Sequence, residues 1–278
     1  MPEAPATAPG APAAPQSNRQ DSEPGTVTPR ELQVPANWQA IDFISDLHLS
    51  QTLPRTTAAF KQHLQRTTAD AVFILGDLFE LWVGDDMAQR SFEAGCIAAM
   101  RDASRRLTLA FMVGNRDFLA GPQLLRQAGL MPLHDPTVLL AFGQRVLLSH
   151  GDALCLADEP YQAFRREVRS DAWQIQFLAQ PLPERLKIAA EIRGASRERQ
   201  RFDGASHADL DGAETLRWMQ AAHAPVLVHG HTHQPASHAV APGYKRHVLS
   251  DWDLDVGQRA EVLRLSAQGF VRVPVRPS

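Results

Sequence analysis

Three histidines stand at every second position behind an apolar run. The segment "VLVHGHTHQP" (226–235) contains His229, His231 and His233. Side chains alternate between the two faces of a strand, so imidazoles at this spacing would point the same way. A glycine before His231 and Pro235 indicate that the strand ends here and the chain turns. Grouped imidazoles can bind a metal ion, but a polar strand edge with ordinary surface histidines has the same pattern.

Four further apolar runs also end in polar side chains. These are Asp46 and His48 in "FISDLHLS", Asp77 in "FILGDLFE", Asn115, Arg116 and Asp117 in "FMVGNRDF", and His150 in "LLSHGD". Open α/β sheets bind their ligands at the carboxyl ends of strands. Carboxylates, imidazoles and a carboxamide without a thiolate suit manganese, iron or zinc, and are a poor match to an all-thiolate structural zinc site. Each of these short motifs alone is common in turns, but the five motifs in this order, each after an apolar strand, predict a metal site.

We call these five motifs the polar blocks. The segments between them predict an α/β fold. Short apolar runs predict buried strands at 41–45, 71–75, 109–113 and 226–229, and helical patterns lie at 56–66 and 92–105. Two hairpins are also predicted, one turning at Gly143-Gln144 and one at Gln268-Gly269. The fold therefore mixes parallel crossovers with antiparallel hairpins.

Residues 156–222 have helical periodicity alone. The apolar positions that define it are Tyr161, Phe164 and Val168 in one stretch and Leu186, Ile188 and Ile192 in another. We interpret the segment as a helical insertion between two strands, and call it the cap.

The first 37 residues differ in composition from the rest. They hold eight of the 20 prolines and scarcely any large apolar residue. Such a segment buries too little surface to offset its ordering entropy. It also lacks the basic start and continuous apolar core of a secretory signal. We expect residues 1–37 to form a disordered tail without catalytic role, and 38–278 to form the folded domain.

Composition excludes several other classes. With 44% hydrophobic and 21% charged residues the 278-residue chain is typical of a globular protein. A net charge of −3 and a pI near 6.4 argue against a general nucleic-acid binder. Cys96 and Cys155 do not make a disulfide framework and fit a reducing compartment. No stretch approaches the roughly 20 apolar residues of a spanning helix, so an integral membrane protein is not expected.

The five polar blocks carry a resemblance. In the order D-x-H, G-D, G-N-x-D, H-G-D and G-H-x-H they resemble the calcineurin-like metallophosphoesterases over nearly all of residues 39–278. Three stretches are similar to one branch, the UDP-2,3-diacylglucosamine hydrolases of lipid A biosynthesis: "GDLFELWVGDD" (76–86), "GNRDFLAG" (114–121) and "HGDALCLADEPYQAFR" (150–165).

The resemblance implies a four-layer αββα sandwich with a helical cap and two divalent metal ions, with manganese as the expected metal. One ion would be held by Asp46, His48, Asp77 and His233, and the other by Asp77, Asn115, His150 and His231. His231 and His233 would then serve different ions. His229 has no ligand role in the family, and we assign it to packing or to support of the ligands.

The implied reaction is hydrolysis of the UDP-2,3-diacylglucosamine pyrophosphate to UMP and 2,3-diacylglucosamine 1-phosphate, with water attacking the α-phosphorus. The catalytic residues would be Asp77, Asn115, Arg116 and His150, and the substrate contacts Asn115, Arg116, Asp158, Ser196, Gln200 and His231. Gln200 stands where Asn is usual and Asp203 where Lys is usual, so Asp203 is not carried over. The family also implies a monomer in peripheral contact with the cytoplasmic face of the inner membrane.

The residue type at position 116 gives a separate indication of which bond is cleaved. Many relatives that cleave phosphate esters have His at this position, which can protonate an alkoxide leaving group. Arginine stays protonated and cannot do this. A leaving phosphate, with a pKa of about 6, can depart without a proton. Arg116 therefore favours pyrophosphate cleavage and could hold charge on the phosphates; an ion pair with Asp117 is the structural alternative.

Other functions stay open at this point. The chain could be a metallophosphoesterase of another nucleotide or phosphoester, or a binding scaffold that kept the fold without catalysis. Loss of catalysis normally removes ligands, and all seven are present. The segment 185–201, with six basic and two acidic residues, predicts an acyl-chain clamp in the cap. Its apolar side could line a lipid chamber, while its basic side chains face phosphates or an anionic membrane surface. A small packed helical subdomain with a solvated face would have the same pattern.

Overall fold

The computed structural model describes residues 29–203 and 209–275, and for 195–203 it describes the backbone only. The strands are β1 Arg30–Gln33, β2 Ala40–Ile44, β3 Ala71–Leu75, β4 Thr108–Met112, β5 Leu130–Pro132, β6 Thr137–Ala141, β7 Gln144–Ser149, β8 Val226–His229, β9 Ala236–Ala241, β10 Tyr244–Val248, β11 Glu261–Ser266 and β12 Gly269–Pro274. The helices are α1 Pro54–Arg66, α2 Ser91–Ala103, α3 Pro122–Ala128, α4 Glu159–Val168, α5 Asp171–Leu178, α6 Leu182–Asp203 and α7 Gly212–Ala221.

The strands form two six-stranded sheets. One has the order β1-β6-β7-β8-β10-β9 and the other β12-β11-β2-β3-β4-β5. Strands β2 to β5 are parallel, as are β7, β8 and β10. The strands that precede the five polar blocks are therefore parallel neighbours within each sheet, so their carboxyl ends meet at one edge.

Successive side chains of a strand face opposite sides of its sheet, and this alternation produces the layers of the fold. Phe43 and Phe73 lie between the two sheets, in a cluster that also contains Leu148 and Val228. The neighbouring Ile74 faces outward, into the cluster formed with α1 and α2. On the far side of the other sheet, outward residues pack with α7: Val138, Leu147 and Leu227 with Met219 and Ala222. The predicted four-layer α/β sandwich is confirmed.

The predicted boundary of the tail is wrong. Residues 30–33 form β1, which pairs in parallel with β6, and Val34 beyond it is buried. Arg30 to Gln33 carry three polar residues, so hydropathy alone does not reveal this edge strand; main-chain pairing holds it. Residues 1–28, the rest of the predicted tail, lie outside the described residues.

The cap and the two hairpins also differ from the prediction. Helix α7, inside the predicted 156–222 insertion, packs on a sheet and completes the sandwich, which leaves α4, α5 and α6 as the cap. Both hairpins turn one residue earlier than predicted, at 142–143 and 267–268. Phe142 and Gly143 have φ of 51° and 75°, the left-handed values of a type I′ turn.

None of the described helices is both long enough and apolar enough to cross a bilayer.

Candidate metal centre

The predicted ligands occupy the loops that leave five strands. Asp46 and His48 follow β2, Asp77 follows β3, Asn115 follows β4, His150 follows β7, and His231 and His233 follow β8. Five of them have a left-handed backbone, with φ of 52°, 48°, 54°, 69° and 53° at Asp46, His48, Asp77, His231 and His233. This conformation is uncommon outside glycine and collects at functional sites.

The three histidines of 226–235 do not share one strand face. Strand β8 ends at His229, and His231 and His233 lie in the loop beyond it, so the expectation of three imidazoles pointing one way is wrong. The His229 ring is fully buried, with Nδ1 2.9 Å from the carbonyl oxygen of Gly230. Burial lowers the pKa of His229 to about 4, so the ring is neutral near pH 7.

The first group of ligand atoms gathers around Asp46 and His48. His233 Nε2 lies 3.4 Å from Asp46 Oδ1 and 3.3 Å from His48 Nε2. His48 Nε2 is also 4.0 Å from Oδ2 of Asp77. One potential ligand atom from each of Asp46, His48 and His233 lies within 4.8 Å of the others.

The second group gathers around Asn115. Its Oδ1 lies 3.0 Å from His150 Nε2 and 2.9 Å from His231 Nδ1. His150 Nε2 is 3.7 Å from Oδ1 of Asp77, the oxygen that does not face His48. Asp77 thus stands between the two groups, with one carboxylate oxygen towards each.

The donors fit a divalent cation. Asp46 Oδ1 is buried and makes no hydrogen bond within the described residues, although His233 Nε2 lies 3.4 Å away. A buried carboxylate oxygen in this state is stabilised by a nearby cation. Burial raises the pKa of Asp46, but contact with His233 and the imidazoles of His150 and His48 outweigh burial and hold the pKa below its ordinary value. The carboxylate is therefore ionised and able to coordinate a metal.

The pKa of His150 indicates that the surrounding carboxylates make this site strongly negative. Burial lowers its pKa, but the carboxylates of Asp77, Asp46 and Asp152 outweigh burial and raise the pKa to about 9. Buried carboxylates that attract a proton this strongly also attract a metal cation. Carboxylate, imidazole and carboxamide donors suit manganese, iron and zinc.

Asp117 organises this centre, although it is not among the predicted ligands, catalytic residues or substrate contacts. It is fully buried and accepts hydrogen bonds from the backbone N–H groups of Gly114 and Leu78, both at 2.7 Å. Burial and the charge of Asp77 raise its pKa to about 6. The sequence signal was its place in "GNRD"; the structure adds that it ties the Asn115 loop to the Asp77 loop.

Arg116 is not held by Asp117. Within the described residues no ion pair joins the two side chains, which removes the structural alternative. The backbone N–H of Arg116 donates to Asp77 Oδ1 at 2.8 Å, and its buried Nε has no hydrogen-bond partner there. The Arg116 guanidinium, which lies beside the ligand loops, is therefore available to bind an anion.

The predicted substrate contacts in the cap are only partly described. Asp158 is exposed and caps α4, its Oδ1 accepting from the backbone N–H of Tyr161 at 3.0 Å. Ser196 and Gln200 lie on α6, and their side chains are outside the described residues.

Helix α6 is fixed by its own basic side chains. Arg185, 4% exposed, donates to the carbonyl oxygen of Val83 and pairs with Asp86, and Arg193 pairs with Glu80. The expectation that the basic side chains of 185–201 face phosphates or a membrane is therefore wrong for Arg185 and Arg193. Both dock α6 on the loop that follows β3.

Comparisons with known proteins found a family model and several relatives. A family model described as calcineurin-like phosphoesterase matches residues 40–235. A UDP-2,3-diacylglucosamine hydrolase of Chromobacterium violaceum is 43% identical over 239 residues, which cover 85% of this chain and 99% of that protein. Another, of Xanthomonas oryzae pv. oryzae, is 41% identical over 241 residues, covering 82% and 95%. A solved archaeal phosphodiesterase is 9% identical, with a TM-score of 0.44 over 84% of this chain and 99% of that one.

Proposed function

We propose that this chain, which belongs to the calcineurin-like phosphoesterase family, hydrolyses the pyrophosphate of UDP-2,3-diacylglucosamine. The products are UMP and 2,3-diacylglucosamine 1-phosphate, and the reaction belongs to lipid A biosynthesis. The names of the two bacterial relatives support this substrate. The observation that carries the proposal is the position of Asp77, with one carboxylate oxygen towards each of two groups of ligand atoms.

The proposed ligand sets follow those two groups. Asp46, His48, Asp77 and His233 hold one divalent ion, and Asp77, Asn115, His150 and His231 hold the other. When bound, such a pair lowers the pKa of a shared water and stabilises charge on phosphoryl oxygens. We take manganese, one of the metals that these oxygen and nitrogen donors suit, as the native metal.

The chain's own residues bind and orient the pyrophosphate. The Arg116 guanidinium holds charge on the two phosphates, and its fixed protonation means that the leaving phosphate departs without a proton. Asn115 and His231 lie at the same edge and contact the phosphoryl group under attack. Asp117 keeps the Asp77 and Asn115 loops in register through its backbone contacts.

The cap accounts for the lipid part of the substrate. Asp158, Ser196 and Gln200 contact the glucosamine, and half-buried Ile192 of α6 lines an acyl chamber. Leu186 and Ile188 pack against the core cluster, so they hold the helix in place.

Replacing Ile192 with Asp should reduce turnover of the diacylated substrate far more than that of a deacylated analogue, with Glu191→Gln as the control. Equal losses on both substrates would contradict the chamber.

Exposed apolar residues on the cap favour a membrane contact. Ile175 and Leu178 of α5 are 70% and 43% exposed, and Leu156 before α4 is 43% exposed. We place the protein at the cytoplasmic face of the inner membrane, as a peripheral monomer. Binding to anionic vesicles that Ile175→Asp weakens would support this contact; unchanged binding would contradict it.

The metal assignment is tested at Asp77. Asp77→Ala removes a ligand from both ions, so hydrolysis of UDP-2,3-diacylglucosamine should disappear and metal content should fall. Asp102→Ala, which changes an exposed carboxylate of α2, is the matched control and should keep both. Substantial activity in Asp77→Ala would contradict the two-ion site. Faster turnover of simple aryl phosphodiesters than of the lipid substrate would favour a different phosphoesterase.

A further inference from the structure

Glu80 lies between a proposed metal ligand and the cap. Its Oε2 is 3.1 Å from His48 Nδ1, and its Oε1 receives the ion pair from Arg193 of α6. The backbone brings Glu80 to this point, because Glu80 N donates to the carbonyl oxygen of Leu49 at 3.2 Å. One carboxylate thus contacts both the loop that carries His48 and the helix that covers the site.

The two ring nitrogens of His48 face different partners. Nδ1 faces Glu80, whereas Nε2 faces His233 at 3.3 Å and Asp77 at 4.0 Å. A carboxylate beside one imidazole nitrogen holds the proton there and leaves the lone pair on the other nitrogen for a metal. At 3.1 Å from Nδ1, the Glu80 carboxylate is placed to favour the tautomer of His48 that coordinates through Nε2.

The geometry points to Glu80 as a positioning residue that couples the docking of α6 to the presentation of His48. The inference rests on the proposed ligand role of His48. When Arg193 holds the Glu80 carboxylate, Oε2 stays 3.1 Å from Nδ1, and the binding of one of the two metal ions depends on the cap helix. Loosening α6 at Arg193 then weakens that ion without any change to a ligand.

A second docking point of α6 provides a matched control. Asp86 lies in a short 3₁₀ helix of the same connection between β3 and α2, and it pairs with Arg185 of α6, just as Glu80 pairs with Arg193. The described contacts of Asp86 include no metal ligand. Asp86→Asn therefore weakens the docking of α6 and leaves His48 with its carboxylate.

Metal affinity is measured by titrating the metal-free protein with Mn²⁺ and following free Mn²⁺ by electron paramagnetic resonance. Glu80→Leu should weaken one of two Mn²⁺ equivalents about 10- to 100-fold, the usual effect of removing a carboxylate behind a histidine ligand. Glu80→Gln keeps an oxygen acceptor and should restore part of this loss. Arg193→Met should weaken the same equivalent by a smaller factor, and Asp86→Asn should leave both unchanged.

A second readout needs no metal. In the metal-free protein, ¹⁵N NMR of the histidine rings should show His48 protonated at Nδ1, and Glu80→Leu should shift the proton population towards Nε2. An unchanged tautomer together with unchanged Mn²⁺ affinity in Glu80→Leu would overturn the inference. Equal losses in Arg193→Met and Asp86→Asn would also overturn it, because helix docking alone would then explain them.

His48→Ala separates this inference from the proposed function. If His48→Ala weakens one equivalent and Glu80→Leu does not, the link through Glu80 is wrong and the ligand set stands. If His48→Ala changes neither equivalent, the ligand assignment is wrong and the inference falls with it. Far-ultraviolet circular dichroism confirms that each variant is folded.

Discussion

The Tyr161 ring of α4 stacks on the imidazole of His231, with ring centroids 6.0 Å apart and planes inclined by 28°. The Tyr161 hydroxyl donates to Asp152 Oδ2 at 2.7 Å, and the same oxygen accepts from Arg165 Nε at 2.8 Å. Asp152 follows His150 by two residues and is fully buried. The cap is therefore attached to the metal centre through a buried carboxylate network.

Asp152→Asn should destabilise the fold strongly. The change removes the counter-charge of Arg165 and Arg169, and breaking a buried pair typically costs about 3–5 kcal/mol. Tyr161→Phe removes one hydrogen bond and should cost about 1–2 kcal/mol. Urea unfolding of the metal-free proteins measures both free energies of unfolding. Similar losses in the two variants would show that the arginines do not depend on Asp152.

Arg116→Met should lower kcat/KM for UDP-2,3-diacylglucosamine about 10- to 100-fold, which corresponds to the loss of a charge-assisted hydrogen bond. Mn²⁺ affinity should not change, since Arg116 contacts Asp77 through its backbone N–H. Arg116→Lys keeps the charge and should recover part of the activity. Steady-state kinetics with a parallel metal titration tests this role, and an unchanged kcat/KM in Arg116→Met would contradict it.

Deleting residues 1–28 and deleting residues 1–36 should give different results. The shorter deletion leaves β1 intact and should not change the melting temperature. The longer one removes β1 and buried Val34, whose burial alone is worth about 1.5 kcal/mol, so the melting temperature should fall about 3–6 °C. Differential scanning calorimetry distinguishes the two; equal melting temperatures would mean that β1 does not contribute.

Asp42 should make stability depend on acid pH. Burial raises its pKa, but contacts with His63, Arg264 and Thr67 outweigh burial and lower the pKa to about 2 from 3.8. A depressed carboxyl pKa gives stability that is present above the unfolded value near 4 and is lost as pH falls through about 2, here about 2 kcal/mol. Denaturant unfolding of wild type and Asp42→Asn should therefore differ at pH 5 and converge towards pH 2. A constant difference would exclude this contribution.

The sequence predicted the body of the fold and the clustering of the ligands for a simple reason. Runs such as 71–75 are apolar throughout, as a strand covered on both faces must be, and each is followed by polar side chains. Parallel order then brings those polar ends to one edge. Asp77 and Asn115, far apart in the chain, could be grouped on this basis alone.

Other features depend on tertiary contacts that periodicity does not encode. Strand β1 is short and mostly polar, and its partner β6 lies more than 100 residues further along the chain. Helical spacing identified α7 but could not say that it packs on a sheet while α6 packs on a loop. Sequence periodicity also gave no indication of Glu80, because its role depends on contacts with His48 and Arg193 from distant segments.

The most direct test of the proposed function is hydrolysis of UDP-2,3-diacylglucosamine in ¹⁸O-labelled water, with both products analysed by mass spectrometry. Attack of water on the α-phosphorus, with the sugar phosphate leaving, predicts one ¹⁸O atom in UMP and none in 2,3-diacylglucosamine 1-phosphate. Label in the lipid phosphate, or no cleavage by the Mn²⁺-loaded protein, would contradict the account.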